Sequence, residues 1–227
     1  MDIITVDTYR VISTLTGMLY LLVFIAGLLS IARAVDHPDY LTKAARHSGQ
    51  VRKAAFFQFL MAVFYTLIAL LLFPVVKIHN ETLAYGFLAF RTIATILVII
   101  GTGILVWILR VSKKYVKHNS STTVNYKPTG DKLKTARDFI NHVAMIIMLC
   151  LSSIMLYTVT LQAGLIPTWL SVWGIAGAAI AILASIFVWL KYVKIISPNY
   201  MLLNLPLALQ EFVFAVWLIW KGFEMVL

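Results

Sequence analysis

The chain has 227 residues, of which 61% are hydrophobic, and 19 Lys and Arg residues against nine Asp and Glu give it a net charge of +10. Soluble domains are usually about 45–50% apolar, so this composition excludes a water-soluble fold, which would expose too much apolar surface. The basic residues cluster at the ends of apolar runs, which argues against nucleic acid as a partner and for orientation in a membrane. The single cysteine, Cys150, excludes an internal disulfide and a thiolate metal site.

Six apolar stretches are each long enough to cross about 30 Å of hydrocarbon, which takes roughly 20 helical residues. Because backbone groups in lipid must hydrogen-bond within their own segment, each stretch is predicted to be a helix. The sequence therefore predicts an all-α fold, a polytopic transmembrane six-helix bundle that forms a single domain over residues 1–227. The predicted spans are 11–32, 54–76, 83–109, 139–161, 168–190 and 201–220.

The loops between these spans predict the topology. Loops 33–53, 110–137 and 191–200 hold 15 of the 19 Lys and Arg residues, and with six spans they lie on one side of the membrane. By the positive-inside rule this side is cytoplasmic, so the protein is expected in the cell membrane with both termini outside. Anionic lipid headgroups are the expected partners of the basic loops, and the stretch 119–130 is expected to be flexible.

Glu211 is the most informative single residue because it lies inside the sixth span. If Trp220 and Lys221 mark the outer interface, Glu211 lies about nine residues deeper, near the middle of the membrane. A carboxylate there is costly and is usually paired, protonated or in contact with water. It is therefore either a proton, cation or ligand site, or a hydrogen-bonded group that holds helices together.

Arg91 and Gln210 complete the candidate binding site. Arg91 lies either near the outer edge of the third span, where its side chain reaches water, or about eight residues deep, where it needs a buried anion such as Glu211. Gln210 adjoins Glu211, and Pro206, one turn earlier, can kink the sixth helix and open a cavity.

Four further residues are secondary candidates. His142 lies near the inner start of the fourth span with Asp138 one turn before it, as a proton-handling pair or an interfacial cap. Trp217 and Lys221 lie at the outer end of the sixth span, where interfacial aromatic and basic residues are expected. The repeat of Gly177, Ala181 and Ser185 in the fifth span, by contrast, indicates close helix packing.

The sequence contains no HExxH-like spacing, Walker loop, nucleophile elbow or dinucleotide fingerprint. No metal and no cofactor are therefore predicted, and the absence of these motifs argues against an enzyme.

Four strings in order along the chain resemble a family of prokaryotic membrane proteins, the domain of unknown function 4386. They are GMLYLLVFIAGLLS (17–30), LAYGFLAFR (83–91), AGLIPTWLSVWGIAGA (163–178) and LQEFVFAVWLIWKGF (209–223). The resemblance implies a multi-span membrane protein of unknown activity and gives no substrate or reaction. The positions of this chain that fall on marked positions of the family are Arg91, Glu211, Trp217, Lys221 and Gly222.

Three hypotheses for the function follow. The leading one is a non-enzymatic membrane protein that binds or passes a small ligand or ion at an interior site formed by Glu211 and Arg91. The first alternative is a structural or regulatory subunit that uses the fifth span and the basic loop to bind another membrane protein or a second copy of the chain. The second alternative is a lipid-modifying enzyme with Glu211 or His142 as its acid or base.

Overall fold

A computed structural model describes residues 6–118, 125–195 and 197–224. These residues form helices joined by short connections and no strand, so the predicted all-α class is confirmed. The helices are α1 (Val6–Leu29), α2 (Arg33–Asp36), α3 (Tyr40–Arg46), α4 (Ser48–His79), α5 (Glu81–His118), α6 (Lys127–Phe139), α7 (Met145–Gln162), α8 (Thr168–Trp189) and α9 (Pro198–Trp220). Residues Ile140–Ala144 form one π-helical turn that joins α6 to α7.

Six helical segments of the described chain are long and apolar enough to cross a membrane: α1, α4, α5, the continuous segment from α6 through α7, α8 and α9. Each packs against the segment before and after it in the chain, and α9 packs against α1. The six spans therefore form a closed ring in sequence order. Large buried side chains lie inside the ring, among them Arg91, Tyr157, Phe87 and Phe214.

Most of the described residues in the predicted basic loops are helical. Residues 33–53 form α2, α3 and the first turn of α4, while α5 continues to His118 and α6 begins at Lys127. Hydropathy marks where the hydrocarbon ends, but a helix continues beyond that point because Lys and Arg are good helix formers. Of the stretch predicted to be flexible, residues 127–130 lie in α6 and 119–124 lie outside the described residues.

The basic segments lie together at one end of the bundle, which we call the basic end. A hydrophobic core forms there that is separate from the one inside the ring. In it, Tyr40, Leu41 and Ala44 of α3 pack against Leu105 and Ile108 of α5. The Tyr40 hydroxyl donates a hydrogen bond to Asp131 of α6 at 2.8 Å. Lys191, after α8, lines a surface pocket with residues of α6, so the third basic segment lies at this end too. Because α3 buries apolar residues against α5, residues 33–53 form a packed layer at this end of the bundle.

The opposite end closes the ring between its first and last helices. Arg10 of α1 donates hydrogen bonds to the carbonyl oxygens of Ile219 and Trp220 at 3.2 and 3.0 Å. A Cβ atom on Gly17 would collide with the backbone of Ala215, so this glycine lets α1 and α9 approach closely. The ring therefore depends on contacts between residues more than 200 positions apart.

Candidate functional site

Arg91 lies in the interior of the ring, with only 1% of the residue exposed. Its Nε–H donates to the Ser152 hydroxyl at 3.1 Å and its Nη2 donates to the Ser153 hydroxyl at 3.5 Å. The guanidinium carbon lies 5.6 Å from the ring centres of both Tyr65 and Phe87, within the range of cation–π contact. The Arg91 side chain is therefore buried inside the bundle, where its hydrogen-bond acceptors are serine hydroxyls.

Ser152 and Ser153 hold the guanidinium because they lie side by side on α7, facing α5. The Ser152 hydroxyl also donates to the carbonyl oxygen of Phe87 at 3.0 Å, so a single hydroxyl joins the two helices and accepts from Arg91. Both serines are buried. The pair therefore fixes the orientation of a buried cation with neutral groups, which do not neutralise its charge.

Glu211 of α9 lies on the wall of a cavity of about 240 Å³ between α1, α4 and α9. The side chains around it are largely aromatic and apolar, namely Tyr20, Leu21, Val23, Phe24, Leu28, Met61, Tyr65 and Phe212, with Gly27 at one edge. We call this space the Glu211 cleft. A carboxylate among aromatic rings is a combination that binds small organic cations, because both the charge and the ring faces attract them.

Arg91 and Glu211 belong to the same cluster without touching. Each is influenced by the charge of the other, but within the described residues they form no ion pair. Tyr20 interacts electrostatically with both groups, and Tyr65 contributes to the Glu211 cleft and also contacts the guanidinium. The two tyrosines thus link the cation and the carboxylate.

Gln210, the third predicted member of the site, is fully buried next to Glu211. Its Nε2 donates to the carbonyl oxygen of Leu170 at 3.2 Å, which ties α9 to α8. Within the described part of the chain, its Oε1 and the buried hydroxyls of Tyr20 and Tyr157 make no hydrogen bond of good geometry, although the Tyr157 hydroxyl lies near Gln210 and the Tyr20 hydroxyl near Arg91. The interior therefore holds a cluster of polar groups beside a buried cation.

A larger cavity of about 510 Å³ lies nearer the basic end, and we call it the inner cavity. It shares Gly27, Leu28 and Met61 with the Glu211 cleft, so the two spaces adjoin each other. Its polar lining residues are Ser30, Asp36, Gln58, Arg137, Asn141, His142, Tyr200 and Asn204. A continuous series of lining residues thus leads from Glu211 towards the basic end.

The two secondary candidates at the inner end of the fourth span have different partners. His142 lies in the π-helical turn, and its Nδ1 is 3.3 Å from the Tyr200 hydroxyl of α9. Asp138 instead contacts Arg137 at 3.4 Å, and Arg137 also pairs with Asp36 at 3.0 Å. The structure therefore places His142 on the inner cavity and Asp138 in an ion-pair cluster beside it.

Trp217 and Lys221 lie towards the end of α9 that is opposite the basic end. Lys221 follows Glu211 by ten residues, or about 15 Å along a helix, and its Nζ lies over the ring of Trp220 at 5.6 Å. Trp217 is half-buried and packs against the main hydrophobic core. Neither residue lines the Glu211 cleft or the inner cavity.

Sequence reasoning missed several residues of the interior, above all Tyr20, Tyr65, Tyr157, Ser152 and Ser153. A signal for them exists, because two adjacent serines and a tyrosine interrupt the apolar run of the fourth span. Their meaning depends on which face of each helix points inward, which the sequence does not reveal. Among the described residues, no group of His, Cys, Asp or Glu side chains is arranged to hold a metal ion.

A comparison with protein-family models supports the resemblance found in the sequence. A family model described as Domain of unknown function (DUF4386) matches residues 15–222, from α1 to just beyond the end of α9, and confirms the predicted resemblance. Comparisons with curated proteins and with solved structures give no significant match.

Proposed function

The chain belongs to the family described as Domain of unknown function (DUF4386), a multi-pass membrane protein family without an assigned activity, and we propose that it binds a proton or a small cation at Glu211. The observation that carries this proposal is the placement of Glu211 on an aromatic-lined cleft, without an ion pair to Arg91 among the described residues. A carboxylate fully neutralised by an arginine would have little affinity left for a cation, whereas Glu211 is not directly paired within the described residues.

Arg91 acts in this proposal as a fixed positive charge. Held by Ser152 and Ser153, it repels a cation bound at Glu211 and so weakens the binding. Weak binding is useful for a site that must release its ligand. The adjoining inner cavity extends towards the basic end, and a proton released from Glu211 passes along its polar lining residues.

Reconstituted liposomes containing a pH-sensitive dye test whether Glu211 binds and passes a proton. We expect proton flux under an imposed membrane potential in the native protein, and its loss in Glu211→Gln. Glu81→Gln is the matched control, because Glu81 forms an exposed ion pair with Lys77 at 3.3 Å, outside the bundle interior. Equal flux in all three proteins would refute proton passage.

Thermal stability with added tetramethylammonium tests the cation arm. A ligand at about 100 times its dissociation constant stabilises a protein by about 2.7 kcal/mol, which raises the melting temperature measurably. We expect this stabilisation in the native protein and in Glu81→Gln but not in Glu211→Gln. If neither proton flux nor cation stabilisation depends on Glu211, the proposal is wrong.

The orientation forms part of the same proposal. We place the basic end in the cytoplasm of a cell and its Lys and Arg residues against anionic lipid headgroups, a placement supported by the clustering of three basic segments at one end. Single cysteines introduced at Lys43 and Glu81 test it, because Cys150 is buried. A membrane-impermeant maleimide should label the second variant and not the first in intact cells; the opposite pattern would reverse the orientation.

A further inference from the structure

The inner cavity reaches the outside of the bundle beside two apolar residues. Leu28 and Ile31 line it and are also 60% and 45% exposed, so we call the opening beside them its mouth. Tyr200 and Asn204 of α9 form another part of the wall. Helices α1 and α9 contact each other from Arg10 to the ring pair of Phe24 and Phe212, and nearer the basic end both helices line the cavity.

The residues that line the inner cavity are of two chemical kinds. The apolar ones are Leu28, Ile31, Met61, Val98, Met145 and Ile146. The neutral hydrogen-bonding ones are mainly the amides of Gln58, Asn141 and Asn204 and the His142–Tyr200 pair. A volume of about 510 Å³ with mostly apolar walls and a few converging polar groups is typical of a ligand site between the helices of a bundle.

The charges at the basic end of this cavity balance each other. Arg137, only 4% exposed, contacts the carboxylates of both Asp36 and Asp138. Lys134 approaches the carbonyl oxygen of Asp36 at 3.5 Å, so two basic and two acidic groups lie together. An anionic headgroup would meet two carboxylates beside this arginine. In the described part of the chain, however, the buried Nε–H of Arg137 has no acceptor, and a neutral oxygen atom would satisfy it.

From this arrangement we propose that the inner cavity binds a neutral amphipathic lipid, which enters from the membrane between α1 and α9. The hydroxyl or carbonyl oxygens of the lipid contact the amides, Arg137 and the His142–Tyr200 pair. The apolar chain of the lipid contacts the apolar lining residues and leaves the cavity through the mouth. Access from water is less direct, because the Asp36–Arg137 pair joins α2 to α6 across the basic end. This site is separate from the cation site at Glu211, although the two adjoin.

Photolabelling in liposomes tests the proposal with two neutral probes and one anionic probe. The neutral probes are a diacylglycerol and a prenyl quinone, and the anionic probe is a phosphatidic acid, each with a diazirine in the first part of its chain. We expect one of the neutral probes to label residues 27–32 and 198–204, and the more reactive one identifies the lipid class. Preferential labelling by phosphatidic acid at these residues, or no labelling there by either neutral probe, would overturn the proposal.

Variants at the mouth separate a site from general lipid contact. Ile31→Trp should block the entrance and reduce labelling by about tenfold, a loss of about 1.4 kcal/mol. Ile25→Trp is the matched control, because Ile25 is 52% exposed on α1 and lines neither cavity. It should label like the native protein. Equal labelling of both tryptophan variants would refute a defined site.

A second variant serves if Ile31→Trp fails to fold. Asn204→Leu removes one amide from the polar lining residues. In the native protein Asn204 donates a hydrogen bond only within its own helix, to the carbonyl oxygen of Tyr200 at 2.8 Å, so the substitution breaks no described hydrogen bond between helices. Loss of one hydrogen bond to the lipid should lower labelling about fivefold while the melting temperature changes little. Unchanged labelling in this variant would show that the amide does not bind the lipid and would contradict the proposed arrangement.

Discussion

A double-mutant cycle on Arg91 and Glu211 tests the central electrostatic claim. The claim is that the Glu211 carboxylate stabilises the buried Arg91 guanidinium although the two form no ion pair. Arg91→Met keeps the apolar stem of the side chain and removes the guanidinium, while Glu211→Gln keeps the shape and removes the charge. Two unit charges 4 Å apart interact by about 4 kcal/mol at an effective dielectric constant of about 20. Because the two side chains are not in ion-pair contact, we expect a coupling of about 1–3 kcal/mol.

The single variants should behave differently from each other. Glu211→Gln leaves the guanidinium buried without a counter-charge, so it should be the more destabilising change. Arg91→Met loses two hydrogen bonds to serine hydroxyls, but it also removes the cost of burying the cation, which amounts to several kcal/mol. In the Arg91→Met background, Glu211→Gln should therefore cost much less than in the native protein.

Unfolding in mixed detergent micelles measures these energies. Increasing the fraction of sodium dodecyl sulfate unfolds the helices, and the fluorescence of the six tryptophans reports the transition. The cycle needs all four proteins at one pH and one ionic strength. Additive effects within about 0.5 kcal/mol would show that the two groups do not interact, and the proposed role of Arg91 would then fail.

Three further predictions concern packing and the basic end. Gly17→Ala should lower the free energy of unfolding by about 1–3 kcal/mol, because its Cβ would collide with the backbone of α9, whereas Gly103→Ala, in open space, should be neutral or stabilising in the same micelle titration. Gly222→Ala should cost about 1–2 kcal/mol, because residue 222 has a φ of +78°; an unchanged midpoint would contradict this backbone strain. Burial and the hydrogen bond to Asp131 raise the pKa of Tyr40 well above its ordinary value. The contribution of neutral Tyr40 to the free energy of unfolding should therefore be fully present below pH 10 and fall as the pH rises further. Tyr40→Phe should therefore remove none of the tyrosinate absorbance that the folded protein gains near pH 10–11, and a clear loss there would contradict the shift.

The sequence predicted the six spans and the general position of the acid because hydropathy and the cost of buried charge are local properties. Hydropathy also set the limits of the predicted loops, and for that reason it missed α3, whose Tyr40 and Leu41 are buried by α5 and α6 rather than by lipid. The depth of Arg91 could not be decided from the sequence, because counting from Arg110 and counting from Leu83 place it differently in the third span. Its burial depends on contacts with Ser152 and Ser153 of α7, which lie more than 60 residues away in sequence.

Nothing in the residue pattern signals the π-helical turn either. Residues 140–144 are apolar or weakly polar and suit an ordinary helix equally well. Gly101 of α5 gives a physical reason for the local arrangement, because a Cβ there would collide with the amide of Asn141. The side chain of Asn141 thus reaches the inner cavity through a close approach of two helices that only the tertiary structure reveals.

The ring order has a consequence for how the protein is made. Of the six spans, α1 is synthesised first, and α9, which packs against it and closes the ring, follows the other five. Five helices must therefore wait in the membrane with Tyr20 and Arg91 lacking the shelter of α9, at a depth where polar groups are costly. We therefore expect a chain that lacks α9 to yield less folded protein, because the other five spans leave the ring open.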